Sequence, residues 1–155
     1  VCRRMSSAFL SVDASVLVDL TAARFVPVIA TVAPDEADAL GARFLNVNAD
    51  AAVAPIARAW GAEAVLFLSD VAAVLDGDRT VTSLSPEGAA RLEERGVLQG
   101  GMIPKVEAAL AAAIALPSTL VKIASGNAAN ALISALSSGS GTAITGPEIE
   151  AAHGS

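Results

Sequence analysis

A chain of 155 residues with 54% hydrophobic and 17% charged residues has the size of one domain, and this composition excludes a disordered or collagen-like polymer. Its longest unbroken apolar stretch, 108–116, is far shorter than the roughly 18 residues a spanning helix needs, so a mean hydropathy of +0.59 points to a filled core. A net charge of −6 argues against non-specific binding to nucleic acid or to an anionic membrane, leaving small molecules as the expected partners.

One cysteine, Cys2, and one histidine, His153 in a polar tail, exclude an internal disulfide and a Cys/His zinc site, and no protein-held metal is expected. Arg3 and Arg4 ahead of the apolar residues 8–10 have the outline of a signal peptide, but Asp13 interrupts the run too early, so a reducing, cytoplasmic setting is expected. The first residue is Val1 and not methionine, which is read as the sign of a piece of a longer chain.

In chain order, helix-like and strand-like segments alternate, as in a parallel sheet covered by helices. Asp13 or Ser15 can cap a helix to about Arg24. The almost wholly apolar run 27–32 predicts a strand covered on both sides. After a polar connection, 44–48 predicts a strand and 50–60 a helix with Val53, Ile56 and Trp60 on one face. Pro55 lies beyond that helix's first turn, where a kink or a shifted start is expected. The clearest strand is 64–68, five apolar residues in a row before Ser69 and Asp70. Asp76-Gly77 between 71–75 and 80–83 signals a hairpin. Ser85, Pro86 and Glu87 read as N-cap, first position and dipole-complementing acid of a helix that stops at Gly96. Further helices are expected from Pro104 to about Leu116 and over 128–136, with strands at 120–124 and 142–145.

Three segments hold residues suited to ligand chemistry. In Gln99-Gly100-Gly101-Met102-Ile103-Pro104-Lys105 two glycines permit close backbone approach and the lysine falls in a first helical turn whose N–H groups favour anions. This segment reads either as a phosphate site or as a surface lysine after an ordinary turn. Asn46-Val47-Asn48-Ala49-Asp50 joins a strand to a helix, where polar substrates gather in parallel sheets; the competing reading makes Asp50 a cap and the asparagines turn formers. Ser69 and Asp70 follow their strand in the same way, with capping or a turn as the competing role.

Taken together and in order, these segments resemble the C-terminal half of the acetylglutamate kinases, within the amino acid kinase family. The resemblance covers about 12–145 and rests on Val26-Pro27-Val28-Ile29-Ala30, Leu45-Asn46-Val47-Asn48-Ala49-Asp50, Leu68-Ser69-Asp70-Val71 with Val74-Leu75-Asp76, and Gly100-Gly101-Met102-Ile103-Pro104-Lys105-Val106-Glu107. It implies an α/β fold, a three-layer αβα sandwich with a mainly parallel central sheet. It also implies transfer of the γ-phosphoryl of ATP, with Mg2+, to the side-chain carboxylate of an acylated amino acid in arginine biosynthesis. Such a reaction depends on positioning and charge neutralisation. By resemblance, Lys105 stabilises the migrating charge and Asp50 orients the lysines around it, while Asn46, with Asn48 nearby, binds the acylamino acid. Ser69, Asp70, Val71 and Leu75, together with Val97, Leu98, Gln99, Gly101 and Met102, line the nucleotide site. The resemblance makes 13–146 a nucleotide-binding lobe, 1–12 a remnant or linker and 147–155 a polar tail.

Departures accompany the resemblance. The family's first lysine, its glycine-rich phosphate loop and a substrate-gripping arginine lie in the N-terminal half and have no counterpart before Val12. The chain is therefore expected not to turn over by itself, and a homo-oligomer or a partner supplying the other half is considered. Ala73 replaces a usual glycine, which predicts backbone strain there, and Asn127 and Asn130 replace an arginine and a histidine. Two alternatives remain open: a kinase for carrier-bound aminoadipate or glutamate, and a non-catalytic nucleotide-binding module.

Overall fold

The structure, a computed structural model, describes residues 12–35, 37–38, 40, 43–137 and 139–147. It divides into two compact units, Val1–Ala62 and Glu63–Ser155. The stretch 1–12, read above as a remnant or linker, lies outside the described residues except for Val12, and the 147–155 tail except for Pro147.

In the first unit, helix α1 spans Ser15–Ala22. Its start is held by the Asp13 carboxylate, which accepts from the Ser15 N–H at 2.9 Å, and this bond holds the Asp13 carboxyl below the usual carboxylate range. Arg24 closes the helix in the left-handed region, at φ +66°. Strands β1 (Val32–Pro34) and β2 (Phe44–Asn46) pair antiparallel, Ala33 opposite Leu45. The strand expected over 27–32 is not formed: only Val32 is in a strand, while Val26 and Val28 stay 88% and 94% exposed. An apolar run becomes a buried strand only with a ladder partner and covered faces; Val32 pairs with Asn46, whereas among the described residues Val28, Ile29 and Ala30 have no ladder partner and are exposed. Helix α2 (Ala49–Trp60) is capped by Asn48, whose side chain accepts from the Asp50 and Ala51 N–H groups. It ends at Gly61, at φ +71°, a left-handed stop suited to glycine. Pro55 sits inside the continuous helix, so its expected shift of the helix start does not occur.

The second unit is built on a four-stranded sheet of order β3-β7-β8-β6, formed by Ala64–Ser69 (β3), Ser83–Leu84 (β6), Leu120–Ser125 (β7) and Thr142–Ile144 (β8). β3 and β7 run parallel, as do β6 and β8, whereas β8 is antiparallel to β7. Val121, Lys122, Ile123 and Ala124 of β7 are all buried. Since successive side chains point to opposite faces, both faces of β7 are covered. Helices α4 (Met102–Ala115) and α5 (Ala131–Leu136) pack on it, giving the three-layer α/β architecture. The buried Lys122 ammonium donates to the Ser137 carbonyl at 2.8 Å, at the C-cap of α5, where unsatisfied carbonyls favour a cation. Val106, Ala109, Ala112 and Ala113 form the buried stripe of α4.

A small hairpin, β4 (Leu75–Asp76) and β5 (Arg79–Thr80), interrupts the wrap. Asp76 pairs with Arg79, so the two loop residues are Gly77 and Asp78, with Gly77 at φ +63°; the turn is one residue later than the Asp76-Gly77 signal suggested. Helix α3 (Pro86–Glu94) is capped as expected, the Ser85 hydroxyl accepting from the Gly88 N–H at 3.2 Å.

Candidate active site

The lysine segment is shaped by a bend and then a helix. Gly100 takes the left-handed conformation, at φ +55°, while Gly101 is right-handed, at φ −68°, and precedes α4. The helix begins at Met102, two residues before the expected Pro104, with the Met102 N–H donating to the Gln99 carbonyl at 3.2 Å. Proline is tolerated there because a first-turn N–H has no helical acceptor to lose. Among the described residues no side chain caps this N-terminus, so its backbone donors and positive dipole end face the glycine bend. Lys105, in the second half of the first turn, is half-buried, with its ammonium 6.0 Å from the centroid of the buried Phe67 ring in β3. Packing of α4 against β3 therefore sets the lysine over an aromatic face. Phe67 escaped attention in the sequence because it lies in the middle of an apolar strand.

The nucleotide-lining residues suggested by the resemblance occupy two neighbouring stretches of the same unit. At the carboxyl end of β3, the Ser69 hydroxyl donates to the Asp70 carboxylate at 3.0 Å, and the Ser69 carbonyl accepts from the Gly126 N–H at 2.7 Å. The ends of β3 and β7 are thus tied together, where ligands of parallel sheets gather. Val71 is half-buried and Leu75 is exposed. Ala73 is buried, and among the described residues only Arg24 and Asn130 are non-glycine residues with positive φ; the strain expected at Ala73 is therefore absent. In the second stretch Val97 is half-buried and Leu98 buried, each N–H directed at the Leu92 carbonyl, and the Gln99 amide donates to the Gly96 carbonyl at 2.8 Å. Leu98 thereby serves the core, and Gln99, Gly101 and Met102 carry the stretch to α4.

Asn46, Asn48 and Asp50 lie in the first unit. Asn46 ends β2 and is exposed, and Asn48 is the cap of α2. Asp50, half-buried in the first turn of α2, is not the cap; an acid at this position complements the helix dipole. Two further groups had no signal in the sequence because they act over long separations. Thr142, fully buried in β8, accepts from the Val74 N–H at 2.9 Å and donates to the Val81 carbonyl at 2.6 Å. Arg95 grips Asp76 with two bonds of 2.9 Å. Among the described residues there is no group of three His, Cys, Asp or Glu side chains placed to hold a metal, and no helix is long and apolar enough to cross a membrane.

A model of the amino acid kinase family matches residues 4–122. The chain belongs to that family. It is 44% identical over 101 residues to an acetylglutamate kinase of Helicobacter hepaticus, covering 63% of this chain and 35% of that protein. With an acetylglutamate kinase of Thermus thermophilus it shares 44% identity over 107 residues, covering 66% and 41%. Among solved structures it is similar to a carbamate kinase from Giardia lamblia bound to citric acid, with a TM-score of 0.51 and 25% identity over 66% of this chain and 32% of that one. The family and fold expected from the motifs are thus borne out. The chain spans about a third to two fifths of the length of these curated relatives.

Proposed function

We propose that these residues form the nucleotide-binding part of a kinase that transfers the γ-phosphoryl of ATP to the side-chain carboxylate of N-acetyl-L-glutamate, in arginine biosynthesis in the cytoplasm. The observation that carries this reading is Lys105 in an uncapped first turn of α4, after the Gly100 bend and over Phe67 of β3. Backbone donors, a dipole end and an ammonium in one turn form an anion-accepting arrangement. The names of the relatives support the substrate class. In this reading Lys105 neutralises the oxygens of the migrating group, and Asp50 has the orienting role that the resemblance gives it. Asn46 and Asn48 recognise the acylamino acid. Ser69, Asp70, Val71 and Leu75, with Val97, Leu98, Gln99, Gly101 and Met102, line the nucleotide. Mg2+ arrives on the triphosphate and keeps mostly phosphate and water oxygens as ligands. The chain takes small-molecule partners.

The test is calorimetric titration of the chain with MgATP. Lys105→Met is expected to weaken binding about ten- to hundredfold, the worth of one charge-assisted contact. Unchanged affinity in that variant overturns the reading.

A further inference from the structure

Asp76 and Arg95 meet fork to fork: Nη1 donates to Oδ2 and Nη2 to Oδ1, both at 2.9 Å. Asp76 ends β4, one residue after Leu75, and Arg95 is the C-cap of α3, two residues before Val97. At its other end the hairpin is fixed to the sheet, because Thr142 binds both Val74 and Val81 and the Val81 N–H donates to the Val74 carbonyl at 2.9 Å. The hairpin base therefore has its own anchor, and its far end depends on a side chain from another element. We infer that the Asp76–Arg95 pair is a positioning latch, holding the stretch that ends at Leu75 and the stretch that begins at Val97 in one fixed relation for nucleotide binding. This rests on the nucleotide reading above. Neither residue touches the nucleotide in that reading; they act through the backbone on either side.

Physical magnitudes make the latch separable from a plain stabilising contact. Both side chains retain substantial exposure, 60% for Arg95 and 33% for Asp76, and pairs of this kind contribute little to folding. The planar guanidinium with two parallel bonds nonetheless fixes direction, which a lysine does not. Loss of the pair should leave the fold in place and loosen the relation of two ligand-lining stretches, so affinity should move more than stability.

The experiment titrates MgATP into the unmodified chain and into Asp76→Asn, Arg95→Met, Arg95→Lys and the exchanged pair Asp76→Arg with Arg95→Asp, with thermal midpoints recorded alongside. Each single charge-removing variant is expected to bind about two- to fivefold more weakly, the scale of an exposed bidentate pair. Arg95→Lys should recover only part of the loss, and the exchanged pair should return to within about twofold of the unmodified chain. Thermal midpoints should stay close together. Unchanged affinity in the single variants, or an exchanged pair as weak as its two components combined, overturns the latch alone. An unmodified chain that does not bind MgATP overturns the nucleotide reading and the latch with it.

Discussion

Thr142 is a hydroxyl with no exposure among apolar neighbours, and it survives there because both of its hydrogen-bonding capacities are used, one on Val74 and one on Val81. Thr142→Val keeps the volume and orphans a buried N–H and a carbonyl, for an expected loss of about 2–4 kcal/mol in urea unfolding. Asn48 illustrates a residue whose local role is visible whatever its ligand role. Asn48→Ala removes the cap bonds to Asp50 and Ala51, and about 1 kcal/mol of stability should be lost. Glu87 adds a pH dependence. Its own backbone N–H, then the Ser85 hydroxyl, hold its carboxyl below the usual range. A depressed carboxyl contributes stability that is full above the ordinary glutamate value of about 4.3 and is lost as pH falls through the lower folded value. The thermal midpoints of the unmodified chain and Glu87→Gln should therefore converge in acid and separate, by a small amount for so exposed a group, above that range.

Elements were legible where local chemistry decides them. The five apolar residues 64–68 between polar boundaries become β3, and Ser85-Pro86-Glu87 opens α3 as its cap chemistry requires. Where a partner decides, reading from local pattern failed. Most of the apolar run 27–32, up to Ala30, has strand chemistry without a strand's neighbour, and the helix expected at 128 begins only at Ala131, after Asn130 in the left-handed region. Met102 rather than Pro104 starts α4 because the Gly100 bend sets the helix origin and a first-turn proline merely fits it. The candidate site followed the same rule: the Gly-Gly-Lys spacing and the strand-end polar residues could be read from sequence, whereas Phe67, Thr142 and the Asp76–Arg95 pair act between elements distant in the chain. One glycine tests the spacing of elements directly. A Cβ at Gly141 would lie 2.5 Å from the Ile123 carbonyl oxygen and 3.0 Å from the Ala124 Cβ, with φ at +76°. Gly141→Ala should cost about 3 kcal/mol or more, read by chemical denaturation, because the clash is with β7 backbone and cannot be relieved by a rotamer.

At the scale of the molecule, the second unit contains the main sheet, with β7 covered on both faces, whereas the first is a two-stranded sheet with flanking helices. Phe25, Val26, Val28 and Ile29 of the first unit are all exposed, a run of β-prone apolar side chains of the kind that associates. Val28→Asp is expected to lower concentration-dependent self-association in sedimentation velocity, with little change in the unfolding midpoint of an exposed position. The central pair of the sheet has a consequence in time as well. Ala64 lies opposite Leu120 and Ser69 opposite Ser125, so hairpin, α3 and α4 must all be synthesised before the two strands can meet. Closing so long a loop precedes the contacts that reward it. Refolding by dilution from urea should accordingly run on the millisecond-to-second scale of non-local topologies. On the ribosome, β3 emerges and waits with an unzipped ladder until β7 clears the tunnel, an interval in which a holdase would find its best substrate.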